Sequence, residues 1–190
     1  YVNHGLQLWA ALPQAHEEIE PSFEHTPADA IPELTEQGVA VRVLVGEAFG
    51  ARSPVKTLSQ TVYLDIALPA GGRFELPALA PELAVYAVDA DLAVNGEQVP
   101  VHSMAVLPAG QGAVLTADAA ARLVVIGGEP LDGPRYITWN FVSSRRERIL
   151  EAGADWAAQR MGHVPGETEF IPLPGKPFGV REPDTGTTPV

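Results

Sequence analysis

The residues to weigh first for chemistry in this sequence are its five histidines, His4, His16, His25, His102 and His163, because there is no cysteine. Lacking thiols, the chain can have no disulfides, zinc–thiolate sites or thiol nucleophiles, so a transition-metal site would need imidazoles and carboxylates. No two of the histidines stand at the short spacings that aim both imidazoles to one side of a strand or helix. His102 is therefore read as a strand histidine satisfied by a backbone or water partner. Glu75 and Glu82 could pair as acid and base across the mouth of a β-barrel. In a chain with 24 Asp+Glu, a solvated edge is the favoured reading of both. Gly46-Glu47-Ala48-Phe49-Gly50 has the glycines of a phosphate loop but not the lysine or the following helix, and is read as a turn. Arg145, Arg146 and Arg148 form a basic cluster in what reads as a first helical turn, where positive charge opposes the helix dipole. Either an acidic partner or anion meets them, or they are paired locally. Local pairing is favoured, with Arg148 bonded to Glu151 and the others to nearby carboxylates.

Those side chains must be placed by short strands. Residues 4–12 read as one strand closed by Pro13, and residues 15–38, broken by Pro21, Pro27 and Pro32, read as an irregular linker. Residues 39–45 and 61–68 alternate apolar with small or polar residues, which is the two-residue period of a strand. Residues 84–88 are expected to pair with 91–94, and Asn95-Gly96 is the strongest hairpin signal in the chain. Residues 99–107, 113–115 and 122–126 supply further strands. Strands at such close spacing, with 18 Gly and 18 Pro among them, point to a closed all-β body. One helix is expected, opened by a Ser144-Arg145-Arg146-Glu147 capping box and stopped by Gly162, with Ile149, Ala152, Trp156 and Arg160 on one face. A proline-rich tail follows from residue 163.

Composition narrows the partners. With 46% hydrophobic residues the chain can build a core, and its net charge of −12 opposes binding to phosphate backbones, so direct nucleic-acid binding is not expected. No apolar run nears the roughly 18 residues of a membrane span, no signal peptide is visible, and a cytoplasmic location is expected.

Several segments together are similar to one family. His4-Gly5-Leu6-Gln7-Leu8-Trp9 with Leu12-Pro13 resembles the strand that closes the N-terminal barrel of pirins, and Ala30-Ile31-Pro32-Glu33-Leu34 resembles their interdomain linker. Residues 41–50 with Ser53-Pro54-Val55 resemble the lead-in to their C-terminal barrel, and Gly127-Gly128-Glu129-Pro130-Leu131 resembles its exit. Trp139-Asn140-Phe141-Val142-Ser143-Ser144 and Glu169-Phe170-Ile171-Pro172-Leu173-Pro174 resemble the ending of bacterial pirin-like proteins. The resemblance implies a bicupin whose iron sits in the N-terminal barrel on three His and one Glu. It also implies quercetin 2,3-dioxygenase-type activity or, in eukaryotic members, transcriptional co-regulation. The family's ligands precede the segment matching residues 4–9, so no residue here inherits a catalytic or metal-binding role. In the second barrel, the four cupin ligand positions fall on Pro77, Leu79, Glu82 and Ala113, of which only Glu82 could ligate. His102-Ser103 echoes the family's His-Ser-Glu, but Met104 stands in place of the Glu.

The expected fold is therefore all-β, a cupin jelly-roll barrel with one C-terminal helix and an extended tail. Residues 1–14 would be the last strand of an otherwise absent barrel, so that the chain starts in mid-structure. Residues 15–38 would be linker, 39–131 the C-terminal barrel, 132–162 a connecting segment with the helix, and 163–190 the tail. Tyr63, Ile66, Val85, Val94, Leu107 and Val125 are expected in the barrel core. No catalytic or metal residues and no cofactor are expected in this chain, with iron or another divalent metal belonging to the N-terminal barrel. The exposed apolar residues Leu6, Leu8 and Trp9 would need covering by a second copy, by the tail around 170–173 or by an N-terminal fragment. The function divides between an iron-dependent dioxygenase of which this chain is a structural part, and a non-enzymatic regulatory module acting through protein contacts.

Overall fold

The computed structural model describes residues 4–174, so the tail beyond 174 lies outside the described residues. The chain forms two compact units. One is Glu20–Pro130; the other is made by the two ends, up to Ile19 and from Leu131 onward.

The first unit is an all-β barrel of two sheets. In chain order its strands are β1 (Glu33–Glu36), β2 (Val39–Val45), β3 (Glu47–Ala48), β4 (Ala51–Arg52), β5 (Thr61–Leu68), β6 (Gly72–Leu76), β7 (Glu82–Ala87), β8 (Leu92–Val94), β9 (Glu97–Val99), β10 (Met104–Val106), β11 (Ala113–Ala117) and β12 (Ala121–Gly128). A six-stranded sheet runs β1-β2-β5-β12-β7-β10, and a four-stranded sheet runs β6-β11-β8-β9. The strand pairings within both sheets are antiparallel. The inward-facing residues of the two sheets make one aliphatic core, in which Val43, Leu64, Ile66, Phe74, Leu115 and Leu123 are fully buried. Burying each such side chain is worth roughly 1.5–3 kcal/mol, so the barrel is held mainly by this interior.

Ile66, Val85, Val94, Leu107 and Val125 are buried as expected, and Tyr63 is not. In β5 the even-numbered residues Val62, Leu64, Ile66 and Leu68 point inward. The two-residue period then forces Tyr63 to the opposite face, so it and Ile66 could never share the core.

Asn95-Gly96 makes the expected tight hairpin between β8 and β9, with φ of 53° and 85°, the left-handed pair that a two-residue turn demands. Residues 84–88 do not pair with 91–94: β7 lies between β12 and β10, and β8 belongs to the other sheet. The chain crosses between sheets at residues 88–91, where Asp89 Oδ1 accepts the Arg122 N–H (2.7 Å) and Asp91 Oδ1 accepts the Val101 N–H (2.7 Å). Residues 99–107 are not one strand, because Pro100 lacks a ladder donor and the chain turns through residues 100–103 between β9 and β10. The stretch read as linker contributes β1, which pairs with β2. At the barrel's exit, a Cβ on Gly127 would stand 2.0 Å from the Glu82 carbonyl oxygen, and one on Gly128 2.3 Å from that of Gln60. Only glycine lets β12 close that tightly on its neighbours.

The second unit contains β13 (Tyr136–Thr138) paired with β14 (Phe141–Ser143), and one helix, α1 (Arg146–Ala157). Residues 4–12 form no strand: they run without ladder partners, and a strand exists only by pairing. The expected helix is present but its start differs. Arg145 is the N-cap, without a side-chain cap, because the hydroxyl and N–H of Ser144 are both taken by Glu17. Ile149 and Ala152 face inward with Gly153, while Arg160 lies beyond the helix end, which comes before Gly162.

Candidate functional site

The four positions expected from the sequence to be cupin ligand positions do not come together as a donor set. Pro77 is exposed, Leu79 packs against the aliphatic core, and Ala113 is buried within it. Glu82 is exposed at the first position of β7, opposite Gly128 of β12. One exposed carboxylate among a proline, a leucine and an alanine does not fit an iron, which needs several convergent nitrogen and oxygen donors. Among the described residues no three His, Asp or Glu side chains converge as a metal site.

Glu75 and Glu82 do not share a site. Glu75 lies on β6, in the four-stranded sheet, with its carboxylate paired to Arg73 Nη1 at 2.6 Å, while Glu82 lies on β7 in the other sheet. His102 is not a strand residue. It sits exposed in the turn before β10 with φ 63°, its backbone N–H donating to the Ala87 carbonyl at 2.8 Å. Residues 46–50 belong to a small hairpin, in which Phe49 and Gly50 form the turn between β3 and β4. The Phe49 ring meets Phe74 edge-on at 5.8 Å, so the loop packs onto the core.

Three clusters were not legible as such. The first is on the outer face of the six-stranded sheet. Arg122 donates from Nε and Nη2 to the two oxygens of buried Asp65, both at 2.7 Å. Burial, reinforced by the Asp65 charge, pushes the Tyr63 phenol above its ordinary value. A phenol held protonated is no general base at neutral pH, and the buried carboxylate is held through both oxygens by a guanidinium, as a structural ion pair. This cluster is a clamp. Its one sequence signal was the parity that puts Tyr63 and Asp65 on the same face.

The second cluster joins the chain ends. Glu17 accepts the Ser144 N–H at 2.8 and 3.0 Å, the Ser144 hydroxyl at 2.9 Å and the Ser143 hydroxyl at 3.1 Å. Arg135 Nε lies 2.7 Å from Glu17 Oε1, with both side chains over nine-tenths buried. That N–H makes no straight hydrogen bond, so the contact is chiefly ionic. Arg135 also donates from Nη2 to the Leu12 carbonyl and from Nη1 to the Gly133 carbonyl, each at 2.8 Å. The carboxyl of Asp132 is held below its usual range, first by Arg135 and then by the Gln14 N–H. Beside this staple, Glu18 takes both Arg145 and Arg148, which lower its pKa, with Arg148 the larger cause. Arg148 therefore bonds Glu18 and not the expected Glu151. The partners from the two ends lie 118–130 residues apart, so no local pattern could announce them.

The third cluster is aromatic. Trp139 meets Phe141 and Trp156 edge-on at 5.6 and 5.3 Å, and Phe170 stacks on Trp156 at 5.6 Å. Trp156 Nε1–H donates to the Ile171 carbonyl at 2.7 Å. The tail is thereby held to α1 and is not laid across Leu6, Leu8 and Trp9, which stay 41%, 42% and 60% exposed.

The Pirin C-terminal cupin domain matches residues 63–162. The chain belongs to the pirin family. It is 43% identical over 173 residues to a pirin-like protein of Caulobacter vibrioides, covering 90% of this chain and 59% of that protein. Human pirin is 30% identical over 172 residues, covering 87% of this chain and 59% of its own length. A crystal structure of quercetin 2,3-dioxygenase from Acinetobacter baumannii superposes with a TM-score of 0.80 at 29% identity, covering 90% of this chain and 58% of that one. The chain thus spans just under three-fifths of the length of these relatives. No described helix is long and apolar enough to cross a membrane.

Proposed function

We propose that this chain is the scaffold part of a quercetin 2,3-dioxygenase-type protein and does not itself hold the iron. The observation that carries this reading is the filled barrel: Phe74, Leu115 and their aliphatic neighbours occupy the space between the sheets, and the positions read from the sequence as cupin ligand positions hold Pro77, Leu79 and Ala113. Similarity to a quercetin 2,3-dioxygenase supports the reaction class for the whole protein. The barrel's work is then to fold, and to anchor the turns and clamps on its surface. The test is elemental analysis of the purified chain together with aerobic quercetin turnover. Metal well below one equivalent and no turnover are expected. Stoichiometric metal with turnover would overturn the proposal.

A second reading is favoured by the exposed apolar residues. Leu6, Leu8 and Trp9 in one unit, and Phe23 at 93% exposure in the other, are costly to leave in water. In this reading the chain is a non-enzymatic module that acts through protein contacts, with a second copy as the simplest partner. Its charge of −12 disfavours nucleic acid as a direct ligand. Light scattering decides: a monomer at all concentrations, unchanged when Trp9 is replaced by Ser, would remove the self-association form of this reading.

A further inference from the structure

Beyond α1 the chain folds back on itself and leaves a groove. Residues 159–171 leave and return to the helix end as a compact loop, turned at Gln159, Gly162 and Gly166 with φ of 54°, 81° and 80°. Trp156 closes the loop by stacking on Phe170 and bonding the Ile171 carbonyl. Loops of this closed form are frequently functional. The groove measures about 480 Å³, with apolar walls from Trp156, Met161, Val164, Phe170 and Ile171. Small-molecule sites commonly span about 300–1,000 Å³.

The polar groups at its rim set the charge of what fits. They are Gln159, His163, Glu167 and Glu169. Glu167 is built into the loop: one oxygen accepts the Thr168 and Glu169 N–H groups at 2.7 and 2.8 Å, and these bonds, that of Glu169 first, lower its pKa. Arg160, the loop's own Arg or Lys, is turned onto Asp155 (Nη2–Oδ1 2.6 Å) and does not line the groove. Glu167 and Glu169 thus line a groove that is otherwise largely aromatic and aliphatic, and among the described residues no Arg or Lys lines it with them. We propose that this groove binds a small organic cation, an ammonium group carrying an aromatic or aliphatic body. The carboxylate of Glu169 and the faces of the rings meet the charge, and Met161, Val164 and Ile171 take the body. The inference does not rest on the dioxygenase reading.

The test uses the full chain with three probes of similar size: benzyltrimethylammonium, benzyl alcohol and phenylacetate. Titrations run at about pH 8. Amide shift mapping locates binding and tryptophan fluorescence follows it. The ammonium is expected to bind with shifts confined to residues 156–171, and to outcompete the neutral and anionic probes. Glu169→Gln should weaken the ammonium roughly two- to fivefold, the size of an exposed charge contact, and leave benzyl alcohol unchanged. Glu97→Gln removes the same charge from the barrel hairpin and should change nothing. Phe170→Leu should weaken all probes, and Glu169→Gln remains decisive if that variant frees the loop. Equal binding of the three probes, shifts outside the loop, no binding at all, or equal effects of Glu169→Gln and Glu97→Gln would each overturn the proposal.

Discussion

In the barrel unit the fully buried side chains are aliphatic or phenyl, from Val41 and Leu64 to Phe74 and Leu123. In the unit made by the chain ends, the buried apolar residues among those described are Ile149 and Ala152. Cohesion there comes instead from Glu17 with Arg135, from Glu18 with two arginines, and from four aromatic rings in contact. The difference teaches where each unit is vulnerable. Non-directional burial tolerates a changed methylene and fails when a void opens. A buried ion pair tolerates little, because removing one partner strands the other's charge. The three tryptophans, Trp9, Trp139 and Trp156, all lie in the end unit. Tryptophan fluorescence therefore follows that unit, while the strand component of the far-UV circular dichroism comes mainly from the barrel.

The largest effect is expected from Phe74→Ala, which opens a cavity in the barrel core and should cost about 3–5 kcal/mol. Urea unfolding followed by circular dichroism should show it, with the fluorescence transition moving less. If both transitions move together, the two units unfold as one and the comparison fails. Next is Arg135→Met, which leaves Glu17 buried without its cation and should cost the end unit about 3 kcal/mol. Here the fluorescence midpoint should fall and the dichroism midpoint should hold. Arg135→Lys should recover only part of the loss, since one ammonium cannot reach Glu17, Leu12 and Gly133 together.

Ser144→Ala should cost about 1–2 kcal/mol, through the hydroxyl bond to Glu17, again read in fluorescence. A capping role would instead show as lost helicity at residues 146–149, and amide exchange there distinguishes the two. The smallest effect is pH dependence from Glu18. Its pKa is lowered in the fold, so its contribution is present above the unfolded value near pH 4.3 and drains away as pH falls below it. The pair is exposed, so less than about 1 kcal/mol is at stake. Glu18→Gln should flatten the acid limb of the fluorescence midpoint, and an unchanged limb would mean Glu18 does nothing there.

What could be read from the sequence is what repeats locally. The period of two in β2 and β5, the Asn95-Gly96 turn and the apolar face of α1 each follow from steric rules acting within a few residues. The same parity, applied strictly, would also have kept Tyr63 out of the core. Which strands neighbour one another was not legible, because β7 pairing with β12 and not β8 is decided by how two sheets close over Phe74 and Leu115. The staple was out of reach as well. Glu17 and Ser144 meet across 127 residues, and no local preference brings them together. Ser144 looked like a helix cap because caps are local; tertiary structure gave its hydroxyl to a buried carboxylate, whose need for donors outweighs that of an exposed helix end.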